Sequence, residues 1–285
     1  MIQIKKGKTY LVTGGSGFLG APLCKRIIEQ GGKVRVLSRD EGKLIELKQT
    51  LDVEILTGDI SDKFEVKQAM AGIDGVFHLA ASKHVGLAEK QVRECIKTNT
   101  IGSMNILEES LETLPEFVLS ISTDKAAQVA GVYGATKLLM ERLHEQFERL
   151  NLKTKYRIVR YGNVLYSTGS VLCKWKELLS KNQEVVVTDG NATRFFWSVE
   201  QALDLIEDCM LNSKDTKAYC PDMKSMKIFD MLEAMSQKYL PKDGSLKIKT
   251  IGLQPGENLH EKVMEEGPYS NEVDNFTIQE IKDLI

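Results

Sequence analysis

A glycine-rich junction between a strand-like segment and a helical one is the feature that most restricts the fold of this chain. Residues Thr9–Thr13 (TYLVT) are apolar and β-forming, Leu19–Gln30 has helical spacing, and Lys33–Leu37 is strand-like again. This order predicts a βαβ unit. Glycines at the junction permit a tight turn and let backbone amides approach a diphosphate at the helix N-terminus, which indicates dinucleotide binding. These glycines are Gly14, Gly17 and Gly20.

Strands and helices continue to alternate through the first half of the chain. Further strand-like runs are Val53–Leu56, Val76–Leu79, Phe117–Ile121 and Tyr156–Arg160, and helical segments surround positions 61–71, 88–112 and 133–150. The pattern predicts an α/β fold with a doubly wound parallel sheet of the Rossmann type. Beyond residue 164 the alternation weakens, with helices near 170–181 and over Val199–Leu211. We therefore expect a cofactor-binding Rossmann domain over 1–164 and a smaller C-terminal α/β substrate lobe over 165–285, interleaved with the first.

Charge and cysteine content exclude several classes of partner. The chain has 38 Lys and Arg against 40 Asp and Glu, a net charge of -2, so no basic field favours nucleic acid or an anionic membrane. Its five cysteines lack metal-binding spacing, which predicts reduced thiols and no metal site. No apolar run is long enough for a signal peptide or a membrane span. We expect a cytoplasmic protein with a small-molecule partner.

The end of the second predicted strand indicates which dinucleotide is bound. The segment there is SRDE at 38–41. The planar guanidinium of Arg39 suits a phosphate and Ser38 can donate one further hydrogen bond, which favours NADP over NAD. The alternative is that Arg39 is a solvated charge and Asp40 binds the ribose hydroxyls.

Four ionisable side chains follow the strand-like run Phe117–Ile121 at short intervals. Asp124 and Lys125 come first, and Tyr133 and Lys137 follow. A tyrosine with a lysine four residues later suffices for hydride transfer at an alcohol carbon. The additional carboxyl and amine therefore indicate a further proton-transfer step, such as elimination of water. The alternative for the first two is a solvated ion pair.

Several motifs resemble the extended short-chain dehydrogenase/reductase family. They are the glycine spacing at 14–20, HLAA at 78–81 and YxxxK at 133–137. A second set is similar to the polysaccharide-biosynthesis branch, and within it to the inverting UDP-GlcNAc 4,6-dehydratases of the pseudaminic acid pathway. This set is STDKAA at 122–127, YGATK at 133–137, RYGNV at 160–164 and PGE-x-LHE at 255–261. The resemblance implies an NADP-dependent hydro-lyase that acts on a nucleotide sugar, UDP-GlcNAc being favoured, and that forms a homodimer or larger homo-oligomer.

The resemblance also implies roles for individual residues. Tyr133 would take the proton of the C4 hydroxyl as hydride leaves C4, and Lys137 would lower the tyrosine pKa. Lys125, if its pKa is depressed by burial or by Lys137, would remove the C5 hydrogen, and a protonated Asp124 would donate to the departing 6-hydroxyl. Thr123 completes the expected catalytic set. The expected cofactor contacts are Gly14, Ser16, Gly17, Phe18, Leu19, Gly20, Ser38, Arg39, Asp59, Ile60, Leu79, Ala80, Ala81, Lys83, Tyr133, Lys137 and Val164. The expected substrate contacts are Lys83, Asn163, Arg194 and Glu257.

Some positions depart from the family pattern or allow another interpretation. Gln254 precedes PGE where relatives usually have arginine, which removes one cation expected beside a diphosphate. Asp59 matches the family's adenine-contacting acid, although it could instead cap the next helix. His144 is expected to face solvent, and Trp175 and Trp197 to lie in the core. A nucleotide-sugar 4-epimerase, which needs the same tyrosine and lysine, and a non-catalytic NADP-sensing protein are the alternative functions.

Overall fold

The computed structural model describes residues 1–285, and a seven-stranded parallel sheet forms its centre. The strands are β1 (Thr9–Thr13), β2 (Lys33–Ser38), β3 (Val53–Thr57), β4 (Gly75–His78), β5 (Phe117–Thr123), β6 (Lys155–Tyr161), β7 (Asn163–Val164), β8 (Val185–Val187), β9 (Thr193–Arg194), β10 (Phe196–Trp197), β11 (Ala218–Tyr219), β12 (Met226–Lys227) and β13 (Ile248–Thr250). The large sheet has the order β11-β6-β5-β4-β1-β2-β3, and every neighbouring pair in it is parallel. The order reverses between β1 and β4, which confirms the doubly wound Rossmann class.

Helices cover both faces of this sheet. They are α1 (Gly20–Glu29), α2 (Glu41–Thr50), α3 (Lys63–Met70), α4 (Val85–Ala88), α5 (Val92–Ile96), α6 (Gly102–Thr113), α7 (Val132–Leu150), α8 (Val171–Ser180), α9 (Val199–Asn212), α10 (Ile228–Tyr239) and α11 (Ile278–Leu284). Successive residues of β1 point to opposite faces of the sheet and so lie in two different hydrophobic cores. Tyr10 and Val12 pack with α1, α2 and α9, whereas Leu11 packs with α3, α6 and α7. A strand buried on both sides has to be apolar throughout, which is why its sequence predicted it well.

The segment predicted as one helix over 88–112 is broken. Helix α4 ends at Ala88, α5 begins at Val92, and a π-helical turn over Lys97–Ile101 joins α5 to α6. Asn99 lies in this turn, where its side chain accepts a hydrogen bond from the Ser82 backbone N–H (2.7 Å) and donates one to the Ser82 carbonyl (3.0 Å). The widened turn thus fixes the loop after β4, and π-helical turns often occur at functional sites.

A second apolar core lies in the C-terminal part of the chain. It joins α8, α10 and α11 with β8 and includes Trp175. Helix α9 and strand β11 instead return to the large sheet, where β11 pairs with β6. None of the helices combines the length and the apolarity that crossing a bilayer requires.

The prediction for His144 is wrong, whereas the prediction for the tryptophans is confirmed. His144 is fully buried on α7, where its Nδ1 lies 2.9 Å from the Met140 carbonyl oxygen and its ring packs edge-on against Tyr156. Burial lowers its pKa to about 4. Helix α7 buries several polar side chains, among them Lys137, Glu141 and His144, so polarity alone did not identify its solvent-facing side. Trp175 and Trp197 are 2% and 8% exposed.

Candidate active site

One large cavity opens at the C-terminal ends of the parallel strands, where ligands bind in doubly wound sheets. Its volume is about 840 Å³, within the range of small-molecule sites. Every cofactor and substrate contact predicted from the sequence lines this cavity, as do four of the five predicted catalytic residues. The exception is Asp124, which is fully buried behind the cavity wall. The fold therefore brings together residues from both halves of the chain.

The turn after β1 comes so close to neighbouring backbone that side chains would not fit there. A Cβ atom on Gly14, whose φ is +70°, would lie 2.9 Å from the Ala80 backbone nitrogen. A Cβ atom on Gly20 would lie 2.3 Å from the Gly14 carbonyl oxygen. Two strand ends and the start of α1 can therefore meet at one point, which fits a dinucleotide diphosphate.

The end of the cavity beside α2 carries an exposed cation and a carboxylate that caps a helix. Arg39 is largely exposed, with its Nη1 atom 3.7 Å from Asp59 Oδ2. Asp40 caps α2: its Oδ1 accepts a hydrogen bond from the Lys43 backbone N–H (3.1 Å), and its Oδ2 lies 3.2 Å from Lys43 Nζ. The carboxylate that the NAD alternative needs is therefore engaged with its own helix.

Asp59 does not cap the helix that follows it. Its Oδ1 accepts a hydrogen bond from the Ser61 backbone N–H (2.9 Å), and the N-cap of α3 is Asp62. The side chain of Asp59 lies at the cavity wall, with Oδ2 also 3.9 Å from Lys97 Nζ. The capping interpretation is therefore wrong, while the adenine contact stays a prediction.

Tyr133 and Lys137 lie one turn apart at the start of α7, and both reach the cavity. The ammonium of Lys137 is buried, and its one protein hydrogen bond is to the Met140 sulfur, at 3.4 Å. Burial lowers the pKa of Lys137 to about 8. Burial raises the pKa of Tyr133 to about 12, although the charge of Lys125 opposes that shift. A buried ammonium with only a thioether partner is unsatisfied by protein atoms, which fits the ribose hydroxyls of a nicotinamide dinucleotide.

Strand β5 ends in a hydrogen-bonded group of three predicted catalytic residues. Thr123 Oγ1 donates to Asp124 Oδ1 (2.8 Å), and Lys125 Nζ donates to the same oxygen (3.0 Å). Asp124 Oδ2 is buried and has no partner. The predicted depression of the Lys125 pKa is wrong: burial alone would lower it, but the charges of Asp124 and Glu261 outweigh burial and raise it. Lys125 is therefore an ammonium in this arrangement.

The predicted substrate contacts occupy the other end of the cavity. Arg194 Nη1 donates to the carbonyls of Thr193 (2.8 Å) and Leu259 (2.9 Å), which fixes the guanidinium at the cavity wall. Burial lowers the pKa of Lys83. Glu257 Oε2 accepts a hydrogen bond from the backbone N–H of Gln254 (3.1 Å), while the Gln254 side chain is exposed and lies outside the cavity.

Glu261 is a cavity residue that the sequence analysis did not single out. Its carboxyl is 1% exposed, with Oε1 3.7 Å from Lys125 Nζ and 3.8 Å from Arg194 Nε. Burial raises its pKa, although the charges of Lys125 and Arg194 oppose the shift. It lies in the same PGE-x-LHE motif as Glu257, four residues later, so the motif itself was the available signal.

A buried ion cluster holds the segment after Glu261 in place. Arg160 on β6 is 1% exposed and donates from Nε to Glu141 Oε1 (2.8 Å) and from Nη2 to Glu265 Oε1 (2.7 Å). Its Nη1 also donates to the Val263 carbonyl (3.0 Å). The cluster ties the C-terminal segment to α7, on which Tyr133 and Lys137 lie.

Comparison with known proteins gives the family. The chain matches the family described as "Polysaccharide biosynthesis protein" over residues 10–282, and it belongs to that family. It is 35% identical over 262 residues to the UDP-N-acetylglucosamine 4,6-dehydratase (inverting) of Campylobacter jejuni subsp. jejuni serotype O:2, covering 89% of this chain and 76% of that protein.

Two further relatives agree along nearly the whole chain. An uncharacterized membrane protein of Methanocaldococcus jannaschii is 39% identical over 289 aligned positions, covering 98% of this chain and 85% of that protein. The X-ray structure of Pen from Bacillus thuringiensis superposes with a TM-score of 0.92 at 29% identity, covering 99% of this chain and 98% of that one. The fold of the Bacillus thuringiensis protein is thus shared along nearly the whole chain.

Proposed function

We propose that this member of the polysaccharide biosynthesis protein family is an NADP-dependent nucleotide-sugar 4,6-dehydratase. Its favoured substrate is UDP-GlcNAc, converted to a UDP-4-keto-6-deoxy sugar with inversion at C5. The observation that carries the proposal is the 3.0 Å pair between Lys125 Nζ and Asp124 Oδ1, close to Tyr133 at the cavity. The name of the Campylobacter relative supports the reaction and the inversion.

The first step assigns proton removal at C4 to Tyr133. A bound nicotinamide dinucleotide would accept hydride from C4 and return it at C6. The Tyr133 phenolate takes the proton of the C4 hydroxyl, and Lys137 would orient the nicotinamide ribose through an ammonium whose one protein hydrogen bond is to the Met140 sulfur. Thr123 lines the same cavity, where its hydroxyl donates to Asp124 Oδ1 (2.8 Å). The product of the step is a 4-ketone, which acidifies the C5 hydrogen.

The second step assigns removal of the C5 hydrogen to Lys125. Since Lys125 is an ammonium in this arrangement, it must lose a proton before it acts as a base. Transfer along its 3.0 Å hydrogen bond to Asp124 produces the free amine. A carboxylic acid beside the amine then protonates the departing 6-hydroxyl, a donation that the sequence motif assigns to Asp124.

Incubation with UDP-GlcNAc and NADP tests this function. We expect the NMR spectrum of the product to show a 4-keto-6-deoxy sugar nucleotide, and the same reaction in deuterated water to place deuterium at C5 of the inverted sugar. Formation of UDP-GalNAc would instead identify a 4-epimerase, which has no use for Asp124 and Lys125. Unchanged substrate would support a non-catalytic NADP-sensing protein.

Replacing Arg39 by alanine is expected to weaken NADP binding roughly 10- to 100-fold, because one charge-assisted hydrogen bond to the 2′-phosphate is lost. Binding of NAD, which lacks that phosphate, should change by less than about twofold. Titration calorimetry with both nucleotides measures the two constants. Lys48→Ala is the matched control, since Lys48 is an exposed cation on α2 outside the cavity. An equal loss for NAD and NADP would contradict the NADP assignment.

A further inference from the structure

Lys125 lies between two carboxyl groups that differ in their access to the cavity. Asp124 is 0% exposed and does not line it, and its Oδ1 atom is already bonded to Thr123 and Lys125. Glu261 approaches Lys125 from a distant part of the chain and does line the cavity. Of the two carboxyl groups, Glu261 is therefore the one that a bound sugar can touch.

The carboxyl of Glu261 is also free to bind a ligand. Its shortest polar contact with another side chain is a 3.5 Å hydrogen bond from Asn258 Nδ2 to Oε2, and its two ion pairs are longer, at 3.7 and 3.8 Å. A carboxyl that is 99% buried normally has short hydrogen bonds, since burying it without them is costly. Burial raises the pKa of Glu261, which favours its protonated form, and the 3.0 Å hydrogen bond to Asp124 keeps Lys125 an ammonium beside it.

We propose that Glu261 is the catalytic acid of the elimination step, a role that rests on the proposed dehydratase function. It gives its proton to the departing 6-hydroxyl, whereas Asp124 accepts the proton that Lys125 loses. The two carboxyl groups thus have different roles: Glu261 exchanges a proton with the sugar, and Asp124 exchanges one with Lys125. Arg194, 3.8 Å from Glu261 Oε1, holds the side chain in position from β9.

The proton transfers of this step balance without any external reagent. An N–H bond of Lys125 breaks and an O–H bond of Asp124 forms. The free amine then takes the C5 proton, and the C5–H electron pair forms the C5=C6 bond as the C6–O bond breaks. The leaving oxygen takes the proton of Glu261 and departs as water. The three residues carry two transferable protons before and after the step, with Glu261 now the carboxylate.

A substrate with a better leaving group tests this assignment. Fluoride leaves as a stable anion, so UDP-6-deoxy-6-fluoro-GlcNAc needs a base at C5 but no proton donor at C6. We expect Glu261→Gln to lose at least about 100-fold in water release from UDP-GlcNAc and to release fluoride within about threefold of the wild-type rate. Asp124→Asn and Lys125→Met should lose both reactions, because both lack a working base.

Several results would overturn the assignment. Normal water release by Glu261→Gln would exclude an acid role, and an equal loss of fluoride release would indicate a structural role. Rescue of Asp124→Asn rather than Glu261→Gln by fluoride would make Asp124 the acid. Glu266→Gln, an exposed position in the same segment, is the control for altered charge. If the wild-type protein releases neither water nor fluoride, the dehydratase function itself fails, which is a separate result.

Discussion

Replacement of Lys125 by methionine is expected to slow water loss by about 10³-fold while C4 oxidation continues. Lys125 is the amine that contacts both Asp124 and Glu261, so its removal leaves no base beside C5. Rapid mixing with UDP-GlcNAc should then show near-ultraviolet absorbance of reduced nicotinamide that appears and persists. NMR should show no 6-deoxy product. Because Lys125 passes its proton to Asp124 and Glu261 has to be protonated, the wild-type elimination rate should fall once the pH exceeds the raised pKa of Glu261.

The control for this variant has to separate chemistry from folding. Lys125→Met leaves a buried carboxylate without its counter-ion, which typically costs about 3–5 kcal/mol of stability. The double variant Asp124→Asn/Lys125→Met removes that charge, so it should recover part of the lost Tm and remain inactive in elimination. Wild-type turnover in either variant would refute the role of Lys125. Loss of the absorbance change as well would move its role to the first step.

The sequence predicted the Rossmann half well because its strands are buried on both faces. A continuous apolar run such as Phe117–Ile121 can then be recognised without its neighbours, and the structure extends that strand only to Thr123. The C-terminal part gave weaker signals, since β9, β10, β11 and β12 have two residues each, too few to show alternation. The π-helical turn at Asn99 depends on a contact with Ser82, which no local pattern contains.

The residues that line the cavity could likewise be predicted, but the protonation states of their side chains could not. Motifs place Lys125 beside Asp124, and this suggested an amine whose pKa is depressed by burial. The structure adds Glu261, far away in the chain, and two negative neighbours outweigh burial. A pKa depends on distances of a few ångströms between such distant residues, so spacing along the chain cannot give its direction. The same contact revealed a second carboxyl at the site.

Replacement of Tyr133 by phenylalanine is expected to reduce C4 oxidation by roughly 10³- to 10⁴-fold, and with it every later step. Phenylalanine keeps the ring in the cavity wall but cannot take the C4 hydroxyl proton. No reduced-nicotinamide absorbance should appear on mixing with UDP-GlcNAc, while NADP affinity and Tm stay close to the wild-type values. C4 oxidation at the wild-type rate in this variant would remove Tyr133 from the mechanism.

The pH dependence of C4 oxidation tests how Tyr133 and Lys137 work together. Burial raises the pKa of Tyr133 to about 12, so its base form increases as pH rises, which favours oxidation. Burial lowers the pKa of Lys137 to about 8, so the charge that assists the phenolate is lost above that pH. Above pH 8 the gain in phenolate and the loss of ammonium cancel, so we expect the single-turnover oxidation rate to rise up to about pH 8 and then to level off. Lys137→Met should lower the rate and abolish the levelling near pH 8, leaving a rate that rises with pH throughout; a plateau that survives in this variant would assign it to another group.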